Sequence, residues 1–437
     1  MQYIPNILFL IILVLGVGYF SLNIKKLIRN IKLGRAVDAS DHKSERWRNM
    51  ARIALGQSKM VKRPIAGFLH IVVYVGFIII NIEVLEIIID GLFGTHRIGL
   101  KVLPESVYGF LIGAFEVLAV LVLVSVIVFW IRRNVIKLKR FLSSEMKGWP
   151  KSDGNIILYF EVVLMCLFLV MNATDTTFQN LGHGNVVSQF IAPWFGDNTD
   201  TLHIIERTAW WLHIVGILIF LNYLYFSKHL HILLAFPNTY FGSVEPKGKF
   251  NNLEAVTNEV KLMMDPNADP FAAAPEGAEE EEPAKFGASD VMDLNQIQLL
   301  NAYTCTECGR CTSACPANLT GKKLSPRKIM MDTRDRLEEV GKNIDANGGE
   351  FKDDGKQLLG DYITNEELWA CTTCNACVEE CPVSINPLSI ILEMRRYLVM
   401  EQSAAPMELN NMMTNIENNG APWPYNQMDR LNWANEE

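Results

Sequence analysis

Eight of the nine cysteines fall into two copies of one spacing, C-x2-C-x2-C-x3-C-P. The first copy is Cys305, Cys308, Cys311, Cys315 and Pro316; the second is Cys371, Cys374, Cys377, Cys381 and Pro382. Three thiolates in so short a loop can reach three corners of one iron–sulfur cubane. The fourth sits where the chain departs in another direction, so it reaches the other cubane. The expected sets are therefore crossed: Cys305, Cys308, Cys311 and Cys381 for one [4Fe–4S] cluster, and Cys371, Cys374, Cys377 and Cys315 for a second. The proline after each fourth cysteine helps redirect the chain. Structural zinc usually takes four ligands from paired C-x2-C units, and two groups of four with a trailing proline fit clusters better. Cysteines so grouped imply a reducing compartment rather than a disulfide framework. Cys166 stands apart in an apolar stretch and reads as a small buried residue.

Histidines at membrane depth form the second candidate constellation, because ionisable groups there are costly and rare. His70 falls just inside one end of an apolar run, His213 lies near the far end of another, and His231 follows just past that run. His213 and His231 are 18 residues apart. On a continuous helix they would share one face, ~27 Å apart along the axis. His229 would be rotated ~160° away from them. The favoured pair is His70 with His231, as axial imidazoles of a b-type haem. The alternative for His229 and His231 is an interfacial basic patch, Lys228-His229-Leu230-His231, against lipid headgroups. A second haem near His213 would need a partner; Asn81 occupies the matching face, and His96, His183 or His203 from the outer loops would have to substitute. Glu83, Glu86, Glu116 and Glu161 lie in or near the apolar runs and read mainly as snorkelling carboxylates, with proton or quinone chemistry as the alternative.

The elements that must position these groups follow from hydropathy. A helix crossing a bilayer needs ~20 mostly apolar residues. Five runs qualify: Ile4–Leu22, Ile65–Ile89, Val107–Ile131, Ile156–Asn172 and Thr208–Phe226. Lipid leaves backbone polar groups unsatisfied, so these runs must be helices. The first lacks a signal peptide's basic start and small-residue cleavage site and reads as a membrane helix. Basic residues crowd the first and third connections, including Lys25, Lys26, Arg29, Lys62, Arg63, Arg132, Arg133 and Arg140. The other two connections are nearly free of them. The positive-inside rule then puts the N-terminus outside, everything after the fifth helix inside, and Trp210 and Trp211 near the outer interface.

The chain has 437 residues, 49% of them hydrophobic, and a formal net charge of -8. Basic residues sit where topology needs them, so no nucleic-acid partner is expected. Residues from about Pro266 to Ala288, including Glu279–Glu282, are too poor in large apolar side chains to form a core and read as an extended tether. Beyond it, Pro326–Val340, Glu366–Ala370 and Asn386–Met400 read as helices, with little strand signal. The expected organisation is a transmembrane domain over 1–234, a loop and acidic linker over 235–293, a dicluster domain over 294–404 and a tail over 405–437.

With these motifs in hand, Leu294–Met400 resembles the alpha-helical ferredoxin domain of succinate dehydrogenase-type and heterodisulfide reductase-type proteins. Residues from Ile4 to about Leu234, with five runs, His70 in the second, and His213 and His231 at their spacing, resemble the cytochrome b gamma subunit of respiratory nitrate reductase. The fusion looks like the membrane iron–sulfur oxidoreductases that join soluble redox enzymes to the quinone pool, one group of which takes electrons from electron-transfer flavoprotein. The resemblance implies an all-α fold, a five-helix transmembrane bundle plus a cytosolic helical ferredoxin domain, in a bacterial or archaeal cytoplasmic membrane. It implies two [4Fe–4S] clusters, one haem b with a second allowed, and quinone as substrate. Such proteins usually add a domain with paired Cys-Cys-Gly motifs. No Cys-Cys pair occurs here, so a separate cytosolic redox subunit would supply it. The expected role is an electron-transfer subunit of an oxidoreductase. The alternatives are a haem-free anchor or redox-sensing scaffold, and quinol oxidation driving disulfide reduction. No nucleotide-binding G-x-G-x-x-G segment is seen.

Overall fold

The computed structural model describes residues 3–246, 248–266 and 285–435. Among these residues the fold is helical, with isolated bridges Arg35–Asn295 and Leu359–Ile363 in place of any strand. Five helices are long and apolar enough to cross a membrane: α1 Ile4–Lys32, α2 Pro64–Phe93, α3 Glu105–Asn134, α4 Trp149–Thr174 and α5 Thr199–Leu224. The first four contain their expected runs and extend beyond them, whereas α5 starts before its expected run, Thr208–Phe226, and stops at Leu224. Prolines at the first turns of α1, α2 and α4 occupy positions where a missing N–H costs nothing, and α2 stops at Gly94 in the left-handed conformation (φ 68°).

The five helices close a ring in which α1 packs between α2 and α5, and α2–α3, α3–α4 and α4–α5 complete the circuit. Their outward faces carry exposed Ile7, Ile11, Leu15, Phe68, Ile78 and Leu85, as lipid contact requires. The buried carboxylates are not snorkelling. Glu83 is 3% and Glu116 0% exposed, and Glu116 accepts hydrogen bonds from the Val187 and Ser188 N–H groups and from Asn172. Arg97, also buried, donates to Asp175 (2.5 Å), Asn172 (2.8 Å) and Tyr108 (3.2 Å). Burial without these partners would be prohibitive for such groups. Trp210 packs on Phe9 and Arg207 and is 6% exposed, so it serves as a packing residue of the bundle. Cys166 is exposed on the apolar surface of α4, not buried as expected.

The sharpest departure from expectation lies after α5. A continuous helix from His213 to His231 does not form. Asp153 of α4, 2% exposed, accepts hydrogen bonds from Tyr223 OH (2.6 Å), Ser227 Oγ (2.6 Å) and the Lys228 N–H (3.2 Å). Ser227 in turn caps a 3-10 turn, Lys228–Leu230, by accepting from the His229 N–H. A new helix, α6 (His231–Tyr240), then starts with its own phase. The shared face of His213 and His231 is therefore lost.

The C-terminal module is built from α7 (Gln296–Thr304), α8 (Arg310–Ala314), α9 (Pro326–Ala346), α10 (Ala376–Glu380) and α11 (Pro387–Met400). The helix read at Glu366–Ala370 appears as Asn365–Trp369, capped by Thr364. Most of the stretch read as a tether, 267–284, lies outside the described residues. The module on its far side is docked on the bundle. Asn30 donates to Tyr303 OH (3.0 Å) and Arg29 to the Gly341 carbonyl (3.0 Å), while the backbones of Arg35 and Leu294–Gln296 exchange two hydrogen bonds. A Cβ at Gly341 would lie 2.4 Å from Asn30 Nδ2, so the close approach of α1 to α9 requires glycine there. Asn238 of α6 joins the same seam, donating to the Val383 carbonyl (2.7 Å) and accepting from Asn301 (3.2 Å).

Candidate redox centres

The two cysteine loops fold alike. Glu307 and Thr373, each two residues past a first cysteine, have positive φ (52° and 55°). So do Gly309 and Asn375, each one residue past a second (71° and 60°). These left-handed residues curl each loop back around a centre before α8 and α10 begin. Glycine or asparagine is the residue type that tolerates this backbone best. The Thr373 N–H donates to Cys371 Sγ (3.4 Å) and the Ile385 N–H to Cys381 Sγ (3.3 Å), contacts of the kind that tune cluster potentials.

The thiols group as crossed sets. Cys315, Cys371, Cys374 and Cys377 line one cavity together with Leu324 and Ile391. Cys305 and Cys311 interact with Cys308 and Cys381. Burial pushes the Cys305 and Cys377 thiols up to about 12 and Cys381 to about 11, so thiolates here would need a bound cation to offset their cost. A zinc ion holds sulfurs at about 2.3 Å, which leaves them under 4 Å apart. Among the described residues the one group of three or more ligand atoms lying within 4.8 Å of one another is His96, Asp175 and Glu206, which includes no cysteine. Sulfurs gathered around a centre yet spaced more widely suit a cubane rather than zinc. Of the eight, Cys374 is exposed.

The structure brings His70, His229 and His231 together where bundle and module meet. The His70 and His231 ring centres are 6.4 Å apart, and His229 lies 5.5 Å from His231. Imidazole nitrogens bind first-row metals at about 2 Å, so a metal held between two rings leaves their centres roughly 6 Å apart. His231 Nδ1 pairs with the Lys228 carbonyl (3.1 Å), which fixes the ring and leaves its other nitrogen as a ligand. His70 Nδ1 is buried without a partner. Burial lowers His229 to about 3 and lowers His231 as well; neutral rings enclosed by protein are poor headgroup binders and good metal ligands. These residues fit a haem. His213 sits elsewhere, inside the bundle. His96 pairs with Asp175 (3.1 Å) and His183 with the Leu181 and Glu105 carbonyls, so neither reaches His213's cavity.

Residues inside the first cysteine loop tie the two centres together, and sequence spacing gave no sign of them. Arg310, between Cys308 and Cys311, donates to the Lys59 carbonyl (3.0 Å) at the approach to α2 and interacts with His70. Glu307, between Cys305 and Cys308, is 3% exposed, pairs with Lys228 and accepts from Arg334 (2.8 Å). Lys228 adjoins the histidine pair and also donates to the Pro150 carbonyl (2.7 Å). Lys62 and Arg63, read as topology signals, pair with Glu379 (2.5 Å) and Glu380 (3.4 Å) of α10. Replacing Lys228 by Met should cost roughly 2–3 kcal/mol, somewhat less than a fully orphaned buried ion because Arg334 remains. Chemical denaturation followed by cluster absorbance measures this, and an unchanged midpoint would mean the pair holds nothing.

Fold and thiol geometry define a class: a helical bundle with five helices able to cross a membrane, carrying a helical module with two cysteine loops of the iron–sulfur type. A family model described as "4Fe-4S dicluster domain" matches residues 304–385. Among curated proteins, the chain is 30% identical to "Probable iron-sulfur-binding oxidoreductase FadF" of Bacillus subtilis over 98% of its length and 61% of the relative's. It is 27% identical to "EtfAB:quinone oxidoreductase" of Syntrophomonas wolfei, over 88% of the chain and 53% of that protein. One subunit of the ferredoxin/F(420)H(2)-dependent CoB-CoM heterodisulfide reductase of Methanosarcina acetivorans is 34% identical over 27% of the chain and 60% of its own length. The chain thus spans about half to six-tenths of the first two relatives. No solved structure matches.

Proposed function

We propose that this chain is the electron-transfer subunit of a quinone-linked membrane oxidoreductase, joining a cytosolic redox partner to membrane quinone through two [4Fe–4S] clusters and one haem b. The observation that carries the reading is the continuity of the site: the first cysteine loop touches, through Arg310 and the Glu307–Lys228 pair, the residues that flank His70 and His231. When bound, the clusters and the haem relay single electrons. The chain's own residues hold them in line. Cys305, Cys308, Cys311 and Cys381 would hold the cluster beside the membrane. Cys371, Cys374, Cys377 and Cys315 would hold the other, whose exposed Cys374 edge is the natural contact for a soluble partner. His70 and His231 would hold the haem, with His229 alongside.

The similarity to a protein named EtfAB:quinone oxidoreductase supports both ends of this chain of carriers and makes electron-transfer flavoprotein the first partner to test. The similarity to heterodisulfide reductase subunits supports assembly with a further subunit. Basic connections Lys25–Arg63 and Arg132–Arg140 orient the module toward the cytosol, with the N-terminus outside. A reduced-minus-oxidised spectrum of the purified full chain should show a b-type band at one haem per chain. A spectrum with cluster bleaching alone would replace this reading with a haem-free iron–sulfur anchor.

A further inference from the structure

We propose that the cavity inside the bundle lined by Asn81, Glu161 and His213 binds the quinone ring. This inference rests on the quinone-linked reading above and adds the place where the ring sits.

The cavity is walled by α2, α3, α4 and α5. Most of its lining is apolar, as lipid-soluble ligands need, with three polar side chains converging on it. His213 is 3% exposed and its Nδ1 has no hydrogen-bond partner. A buried polar atom left unpaired costs free energy, and one on a side chain that lines an apolar cavity points to a ligand that completes it. The Glu161 carboxyl has no hydrogen-bond or ion-pair partner among the described residues, whereas Glu86 and Glu116 are consumed by backbone amides. Asn81 uses its amide on the Phe77 carbonyl (2.5 Å) and keeps the rest of its polar head at the cavity. A p-quinone has two carbonyl oxygens on opposite sides of a flat apolar ring, and this lining offers hydrogen-bonding groups from opposite helices with Phe77 and Phe220 as flat walls. Phe77, which lines the cavity, is also 41% exposed on the apolar outside of the bundle, the side from which such a ligand would enter.

Position favours the same assignment. Phe220 lines the cavity and lies 5.4 Å from His229, which is 5.5 Å from His231. A ring in the cavity is thus linked to the histidine pair through Phe220 and the His229 ring. Interconversion of quinone and quinol moves two electrons and two protons. In the reducing sense the electrons arrive singly from the reduced iron–sulfur chain, and one proton is added to each carbonyl oxygen. Glu161 and His213 are the groups placed to hand those protons over and regain them from water. In the oxidising sense all four leave by the same atoms.

The test uses the full chain with its clusters, in lipid nanodiscs, and the fluorescent quinone analogue heptyl-hydroxyquinoline N-oxide. Fluorescence quenching should give one site per chain. Loss of one hydrogen bond should weaken binding about tenfold in His213→Ala and Glu161→Gln. Phe77→Trp, on an exposed position that leaves the bundle core untouched, should weaken it by narrowing the mouth. Haem and iron content should be the same in all three. Binding that is absent in the wild type, or unchanged in all three variants, overturns the proposal. So does a wild type with two haems that drops to one in His213→Ala, which would make the cavity a haem site. A wild type that binds the analogue through these residues yet shows no b-type band would instead remove the haem from the reading above and leave this site standing.

Discussion

Replacing Cys315 by alanine should empty the centre built by the second cysteine motif and spare the centre built by its own. Cys315 follows the first motif in sequence, but it lines the same cavity as Cys371, Cys374 and Cys377. Cys381 faces Cys305 and Cys308 in the same reciprocal way. A cubane deprived of one of four thiolates loses iron or falls to a three-iron form, so cluster iron per chain, counted apart from haem iron, should drop from about eight toward about four. The surviving EPR signal should be that of the undamaged first-motif centre. Electron transfer from a soluble donor should fall to background, because the exposed Cys374 edge belongs to the lost centre. Cys381→Ala should give the mirror result. Damage confined to the first-motif centre in Cys315→Ala would show that each motif closes on itself.

His70→Ala should abolish the b-type absorption while leaving the iron of the module in place. The His70 and His231 rings stand 6.4 Å apart across the seam between α2 and α6, and a haem held by two imidazoles does not survive the loss of one. Removal of an outer partner of a metal ligand typically costs 10- to 100-fold, so removal of the ligand itself should reduce cluster-to-quinone electron transfer by at least roughly 100-fold. His231→Ala should behave alike. His229→Ala should retain haem, since its ring stands beside the pair and packs on Phe220. Unchanged haem content in His70→Ala would exclude it as a ligand.

What could be read in the sequence was what is local in it. Cysteines three residues apart and apolar runs of about twenty residues carry their geometry with them, so the helical class and the two cysteine loops did not depend on distant contacts. The corner after Leu224 did. It exists because Asp153, more than seventy residues upstream, captures Ser227 and Lys228, and no periodicity within Thr208–His231 announces that. Glu116 looked like an interfacial carboxylate because its partners, the Val187–Ser188 amides, come from the connection between two other helices. Lys62 and Arg63 read as membrane-topology markers, and their further use as docking charges for α10 needed the fold. The αL residues Glu307 and Thr373 carry no sequence signature of their own, since neither is glycine or asparagine.

The first helix does not end at the membrane. It runs on to Lys32, inserts Asn30 against Tyr303 and Gly341, and then bridges backbone to backbone with Asn295. Iron–sulfur modules on loose stalks can work as shuttles that collect charge at one station and deliver it at another. A module clasped at both ends of its seam has no such stroke. Distances between its carriers are set once, when the chain folds, and throughput then answers to driving force and to the arrival of the soluble partner. Insertions that lengthen the stretch before Ala288 should leave turnover untouched, while a single bulky residue at position 341 should break the circuit.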